Sequence, residues 1–382
     1  MFFHIGRTPK ENFPEHRTLG SFSVSTDPGW RQVSLGQFDI IYKGYADSGL
    51  LAFILDKIGQ QKEPMLTGNF CAFVYDNVQK KLLIKTDRYR SFPIYIGDGT
   101  VTNLIPADRV AWTNSLISIN SDWSIAEDKF NVIGKFSTDE STIDQIDQLI
   151  TKKIGQFARY NTRTVKVFLS GGVDTLLVYS YIRRLGIPHE LVWSSHIDHD
   201  DFWLANHNDI QKYWAYSQIH YWQDPCTLAS GAPGDEFMLR SPTTANMYLL
   251  HQGASIPELL KQNPNVLHRE YFLRRKHLNL FAQQLLDYQP EDQLTVNWNM
   301  CNILINDWQH WHIGNTLTWT PLRDVELFKL FLQLPQDLAR AQIIDSAVSR
   351  QLIEQNVPGL TTVISDQKNS GNYMKNLVAL LK

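Results

Sequence analysis

The strand, turn and helix at residues 165–185 constrain this chain more than anything else in it. Val165-Lys166-Val167-Phe168-Leu169 is an apolar, β-branched run that ends on Ser170-Gly171-Gly172-Val173-Asp174-Thr175. A helix is predicted from Thr175 to Leu185, Gly186 suits its C′ cap, and Glu190 to Trp193 reads as a second strand. That order is a βαβ unit. Such a unit needs parallel strands in a sheet covered by helices, and it puts ligand sites at the carboxyl ends of those strands.

The glycine turn lies where a helix begins and its first backbone N–H groups lack partners within the helix. Paired glycines let backbone approach phosphate oxygens, the helix N-terminus presents a positive dipole end, and Ser170 and Thr175 can add hydroxyl donors. Asp174 would repel a bound phosphate unless a divalent cation lay between them, so it is predicted to hold Mg²⁺. The other reading of these residues is a tight structural turn with an Asp N-cap. A second cluster, Ser230-Gly231-Ala232-Pro233-Gly234-Asp235-Glu236-Phe237, follows a short candidate strand, Cys226-Thr227-Leu228-Ala229. Two carboxylates from neighbouring strand ends can share one Mg²⁺ and its phosphates, which makes Asp235 the candidate second ligand. Taken alone, the cluster also reads as a surface turn.

Residues 1 to about 120 read as short strands, such as Phe38-Asp39-Ile40-Ile41-Tyr42 and Leu82-Leu83-Ile84-Lys85, with one helix over Ser48 to Ile58. The polar stretch Asn120 to Asp128 reads as a junction. Beyond it, Asp139-Glu140-Ser141 starts a helix whose stripe of Ile143, Ile146, Leu149, Ile150 and Ile154 runs to about Tyr160. From about Glu258 the chain reads as mainly helical. At 382 residues, 43% hydrophobic and 20% charged, two ordinary globular domains are expected. A net charge of −3 does not supply the clustered cations that nucleic acid requires, so small molecules are favoured as partners. Cys71, Cys226 and Cys301 are widely spaced and indicate neither a disulfide framework nor a zinc site. No apolar run approaches the roughly 20 residues of a membrane span, and a cytoplasmic protein without membrane partners is expected.

At the glycine turn the chain resembles the SGGxDS loop of the N-type ATP pyrophosphatases. Ser230 to Phe237 is similar to the SGxGxDELF loop of the asparagine synthetase family, which includes β-lactam synthetases. Upstream, Leu66-Thr67-Gly68-Asn69-Phe70-Cys71-Ala72-Phe73-Val74-Tyr75-Asp76, Thr86-Asp87-Arg88 and Pro93-Ile94-Tyr95 resemble that family's glutaminase-like domain. Thr320-Pro321-Leu322-Arg323-Asp324 and Asp366-Gln367-Lys368 resemble its PFLD and RxK segments. The resemblance follows the family order along nearly the whole chain. It implies an α+β, Ntn-type αββα sandwich over residues 1–125. An α/β domain over 126–382 follows, adenine nucleotide α-hydrolase-like, with a parallel sheet and a helical C-terminal part. It also implies that Ser170, Gly171, Gly172, Val173, Asp174, Thr175, Ser194, Gly231 and Gly234 line an ATP site. Asp174 and Asp235 would hold Mg²⁺ there, and Asp235 and Lys368 would be catalytic.

The chain departs from the family in three places. Family glutaminases use a cysteine at the very N-terminus, where this chain has Phe2, and Cys71 falls in a core strand, so glutamine hydrolysis is expected to be absent. Ala232 stands where asparagine synthetases carry an acid, and Pro233 removes a backbone donor. The helix near Ser346 to Arg350 offers no lysine for the α-phosphate; Lys368, or else Lys375, is the substitute, with a solubilising surface lysine as the other reading. The cluster His196, Asp198, His199, Asp200, Asp201, His207 and Asp209 reads as a solvated loop. Trp193 and Ser194 are candidate neighbours of the base, with core packing the alternative for Trp193. The expected activity is that of an AMP- and pyrophosphate-forming carbon–nitrogen ligase. It would adenylate a small-molecule or peptide carboxylate and pass it to an amine, and the family's habit of pairing implies a homodimer. A non-catalytic nucleotide-binding or interaction protein is the alternative.

Overall fold

The computed structural model describes residues 3–46, 68–87, 94–103, 109–111, 114–130, 139–169, 172–193, 225–231, 234–240, 245, 248, 252 and 317–364. The helix expected over Ser48 to Ile58, and most of the helical region expected from Glu258, lie outside these residues.

Twelve strands in the N-terminal half form two antiparallel six-stranded sheets. The first has the order β10-β8-β9-β1-β3-β2, where β1 is Phe3–Gly6, β2 Glu15–Leu19, β3 Phe22–Thr26, β8 Tyr95–Gly97, β9 Thr100–Thr102 and β10 Arg109–Val110. The second has the order β12-β11-β7-β6-β5-β4, where β4 is Arg31–Leu35, β5 Phe38–Ala46, β6 Gly68–Asp76, β7 Lys81–Thr86, β11 Ser115–Asn120 and β12 Ile125–Lys129. Side chains alternate along β6: Cys71, Phe73 and Tyr75 join Phe3, Ile5, Phe22 and Val24 of the first sheet in one core. Phe70, Ala72 and Val74 join Ile40 in a second cluster. This explains why β6 is apolar at almost every position, since a strand buried on both faces has no polar side. Phe73 lies edge-on to Phe3 and stacks on Trp30, each at 4.9 Å between ring centres. Burying each such ring contributes about 1.5–3 kcal/mol.

Asn120 to Asp128, read from sequence as a junction, is instead a hairpin, with Ile119 opposite Ile125 and Ser115 opposite Lys129. As the edge strand, β12 exposes Ala126, Asp128 and Lys129, which gives it a linker's polar composition.

The later half carries a four-stranded parallel sheet of order β14-β13-β15-β16, comprising β13 (Thr164–Leu169), β14 (His189–Trp193), β15 (Cys226–Ala229) and β16 (Leu317–Trp319). The sequence reading missed β16, because three residues, Leu-Thr-Trp, are too short to show a period. Helix α1 (Ile143–Tyr160) begins at Thr142, which forms a capping box with Gln145. Its isoleucine stripe, Ile146, Ile150 and Ile154, packs in one core with Val165 and Val167 of the sheet and with Leu177 and Val178 of α2 (Val173–Arg184). Helix α2 ends in a Schellman motif. Gly186 takes φ +63°, with its N–H on the Arg183 carbonyl and that of Ile187 on the Ile182 carbonyl. The short helix α3 (Gly234–Phe237) is followed by α4 (Val325–Leu332), α5 (Gln336–Asp345) and α6 (Ala347–Asn356), and α6 packs against α2. Among the described residues no helix is long and apolar enough to cross a membrane.

Among the described residues, the antiparallel half touches the parallel-sheet half through partly and fully buried side chains. The Tyr45 hydroxyl accepts from the Thr320 N–H at 3.1 Å, and its ring lies edge-on to Phe157, which stacks on Trp319 at 3.9 Å. Arg323 and Asp87, both buried, pair at 3.9 Å. The sequence segments containing Asp87 and Arg323 therefore touch.

Candidate functional site

The chain runs from β13 to β14 on one side of the sheet, then returns across β13 to lay β15 on its other side. The direction of strand addition reverses between β13 and β15, and in open parallel sheets such a switch point opens a crevice at the carboxyl ends of the strands. Val167 pairs with Ala229, so the two strands end side by side. The two glycine-acid turns leave from these ends.

They are packed against each other. A Cβ added to Gly231 would collide with the backbone of Asp174 and Thr175, and one added to Gly234 would lie 2.7 Å from the Asp174 carboxyl carbon. Glycine at both positions is thus required by the closeness of the second turn to the first. The Gly234 N–H closes the second turn on the Gly231 carbonyl at 2.8 Å. Gly172 is the N-cap of α2 and supplies no side-chain cap. Asp174, two positions further on, is therefore not the N-cap, and its carboxylate faces the second turn.

There it meets Asp235 and an arginine that the sequence reading did not single out. Arg240 Nη1 donates to Asp174 Oδ1 and also pairs with Asp235 Oδ1 at 2.9 Å, while its Nε donates to Ser346 Oγ at 2.7 Å. The arginine and Asp174 side chains are 11% and 15% exposed, whereas that of Asp235 is 52% exposed, so solvent reaches the cluster from the Asp235 side. Burial, and next the neighbouring Asp235 carboxylate, push Asp174 well above the usual carboxylate range; Arg240 opposes this only in part. A sequence clue existed: Arg240 lies five residues beyond Asp235, with the buried Phe237, Met238 and Leu239 between them.

Two hard carboxylate oxygens converge on a single point, as a divalent cation requires, and at present that point is Arg240 Nη1. The residues fit Mg²⁺ in donor type and convergence, with a guanidinium on the same oxygens. Among the described residues no group of three or more His, Cys, Asp or Glu side chains is placed to hold a metal.

Val173 is buried in the core of α2. Thr175 is 7% exposed and its hydroxyl donates to the Gly172 carbonyl at 3.0 Å. Trp193 closes β14 opposite Leu169. Ser170, Gly171, Ser194, Ala232, Pro233, Lys368, Lys375 and the cluster from His196 to Asp209 lie outside the described residues. In the antiparallel half, Cys71 is fully buried, and burial raises its thiol well above the usual range, leaving a packing residue rather than a nucleophile. A scan against known protein families finds no match for this chain, and a search of curated proteins finds none.

Proposed function

We propose that this chain is an AMP- and pyrophosphate-forming ligase of the asparagine synthetase kind, acting on ATP and a carboxylate and passing the activated acyl group to an amine. The observation that carries this reading is the meeting of the Asp174 and Asp235 turns at the switch point between β13 and β15. The parallel-sheet half is read as adenine nucleotide α-hydrolase-like, and the antiparallel half as an Ntn-type sandwich retained as scaffold, with Phe3, Trp30 and Phe73 filling its core.

In this reading Asp174 and Asp235 hold one Mg²⁺, which when bound neutralises the triphosphate. The α2 N-terminus directs its dipole toward the phosphates. Gly231 and Gly234 keep the two turns close enough for both acids to act together. A substrate carboxylate oxygen attacks the α-phosphorus, pyrophosphate leaves, and an amine then attacks the acyl carbon and releases AMP. A cation near the α-phosphate lowers the barrier by stabilising charge that grows in the transition state. Lys368 remains the proposed source.

A second reading, a non-catalytic nucleotide-binding or interaction protein, is favoured by one observation: Arg240 already neutralises part of the acid pair. Pyrophosphate release from ATP, measured with a panel of carboxylates, separates the two. The ligase reading expects carboxylate-dependent release that Asp174→Ala abolishes. ATP binding with no release for any carboxylate supports the second reading.

A further inference from the structure

Arg240 is held unusually firmly for a side chain near a solvent-reached acid. One nitrogen meets both carboxylates and another meets Ser346, fixing the guanidinium at two ends. The backbone is bent around it. Leu239, just before the arginine, and Ser346, its partner, both take φ +56°, and they are two of only four non-glycine residues in the left-handed region among the described residues. A buried leucine in that region is a costly conformation, and such strain collects where a local arrangement has a use.

Arg240 Nη1 lies against Oδ1 of both acids, the position from which a divalent cation would meet the same two oxygens. We propose that Arg240 is a built-in cation occupying the metal position of the Asp174–Asp235 pair, and that a divalent cation enters only by displacing it, so that Arg240 sets how tightly the pair takes metal when no nucleotide is present. This inference rests on reading the two acids as a cation site. The displaced guanidinium stays within reach of whatever phosphate arrives with the metal, a role for which its planar fork is well shaped. Displacement from Asp235 comes first, because that carboxylate is half exposed and Asp174 is not.

The test measures Mn²⁺ binding to the full chain without nucleotide, by the loss of the free-ion electron paramagnetic resonance signal. Arg240→Gln is expected to tighten Mn²⁺ binding about tenfold or more over the parent, and adding Asp174→Asn is expected to abolish the gain. Ser346→Gly supplies an independent variant, because glycine suits the left-handed backbone there and the change removes only the Nε tether. It is expected to tighten Mn²⁺ binding about two- to fivefold, as one hydrogen bond to a charged group is lost. Unchanged or weaker binding in a folded Arg240→Gln protein overturns the proposal, as does a gain that survives Asp174→Asn. If Arg240→Gln does not fold, unchanged binding in Ser346→Gly overturns it. The outcome is separable from the ligase reading: tighter Mn²⁺ binding without pyrophosphate chemistry keeps the Arg240 proposal and removes the ligase, and the converse does the reverse.

Discussion

Two buried ion clusters in this molecule use the same chemistry in opposite ways. In the antiparallel half, Lys43 and Asp27 pair at 2.7 Å and are 5% and 0% exposed. The lysine also donates to the Pro28 carbonyl at 2.6 Å, and Trp30 Nε1 donates to the other Asp27 oxygen at 2.6 Å. Both charges are shut off from solvent there. At the end of the parallel sheet, Arg240 serves two acids, one of them half exposed. A pair closed to solvent has nothing to offer a ligand, whereas an acid that solvent reaches can exchange its partner, and this difference separates a structural ion pair from a candidate site.

The largest effect expected from this contrast is on stability. Lys43→Met leaves Asp27 charged and unbalanced in the core, and should cost about 3–5 kcal/mol in a urea unfolding experiment. Asp235→Ala, which removes an exposed carboxylate and leaves Arg240 paired with Asp174, should cost under about 1 kcal/mol. Similar costs for the two variants would break the comparison.

A smaller effect comes from the contact between the turns. Gly231→Ala forces a methyl group into the backbone of Asp174 and Thr175, which no rotamer change can relieve. The expected cost is about 1–3 kcal/mol by the same experiment, accompanied by weaker Mn²⁺ binding to the acid pair. Gly36→Ala, where nothing lies within 4 Å but φ is +59°, is the control for backbone strain alone.

The smallest effect is absent at neutral pH. Burial, assisted by Lys10, lowers His4 to about 4 from 6.5, so the native state stays neutral where the unfolded chain takes up a proton. Stability from this group is therefore full above pH 6.5 and falls as pH drops from 6.5 towards 4. Subtracting the stability curve of His4→Asn from that of the parent should isolate that slope; a flat difference across the window would contradict it.

The sequence made the βαβ unit legible because every local signal there agreed: a β-branched strand, glycines at the turn, and a glycine after the helix. It also singled out Asp174 and Asp235 as partners, since glycine-acid turns after strands carry their meaning in a few adjacent residues. It could not reveal the switch point, which depends on the order of strands in space and on β16, a strand of three residues. Arg240 was missed for a related reason. Its role comes from pointing back across the turn at Asp174, 66 positions earlier, and no local pattern encodes that distance. Ser346 lies a further 106 positions on, at the start of a helix that carries no lysine, and it meets an arginine from outside that helix. The hairpin ending at Lys129 was hidden by composition, because an edge strand and a linker are polar for different reasons but read alike.

Acids from two neighbouring strand ends are proposed to act here as one nucleotide site, and exchange of labelled pyrophosphate into ATP, run with a carboxylate panel and no amine, puts that to the test. The expected exchange requires both a divalent cation and a carboxylate, and falls to background in Asp174→Ala and in Asp235→Ala alike. Exchange that survives the loss of either acid would show that the two turns do not work together.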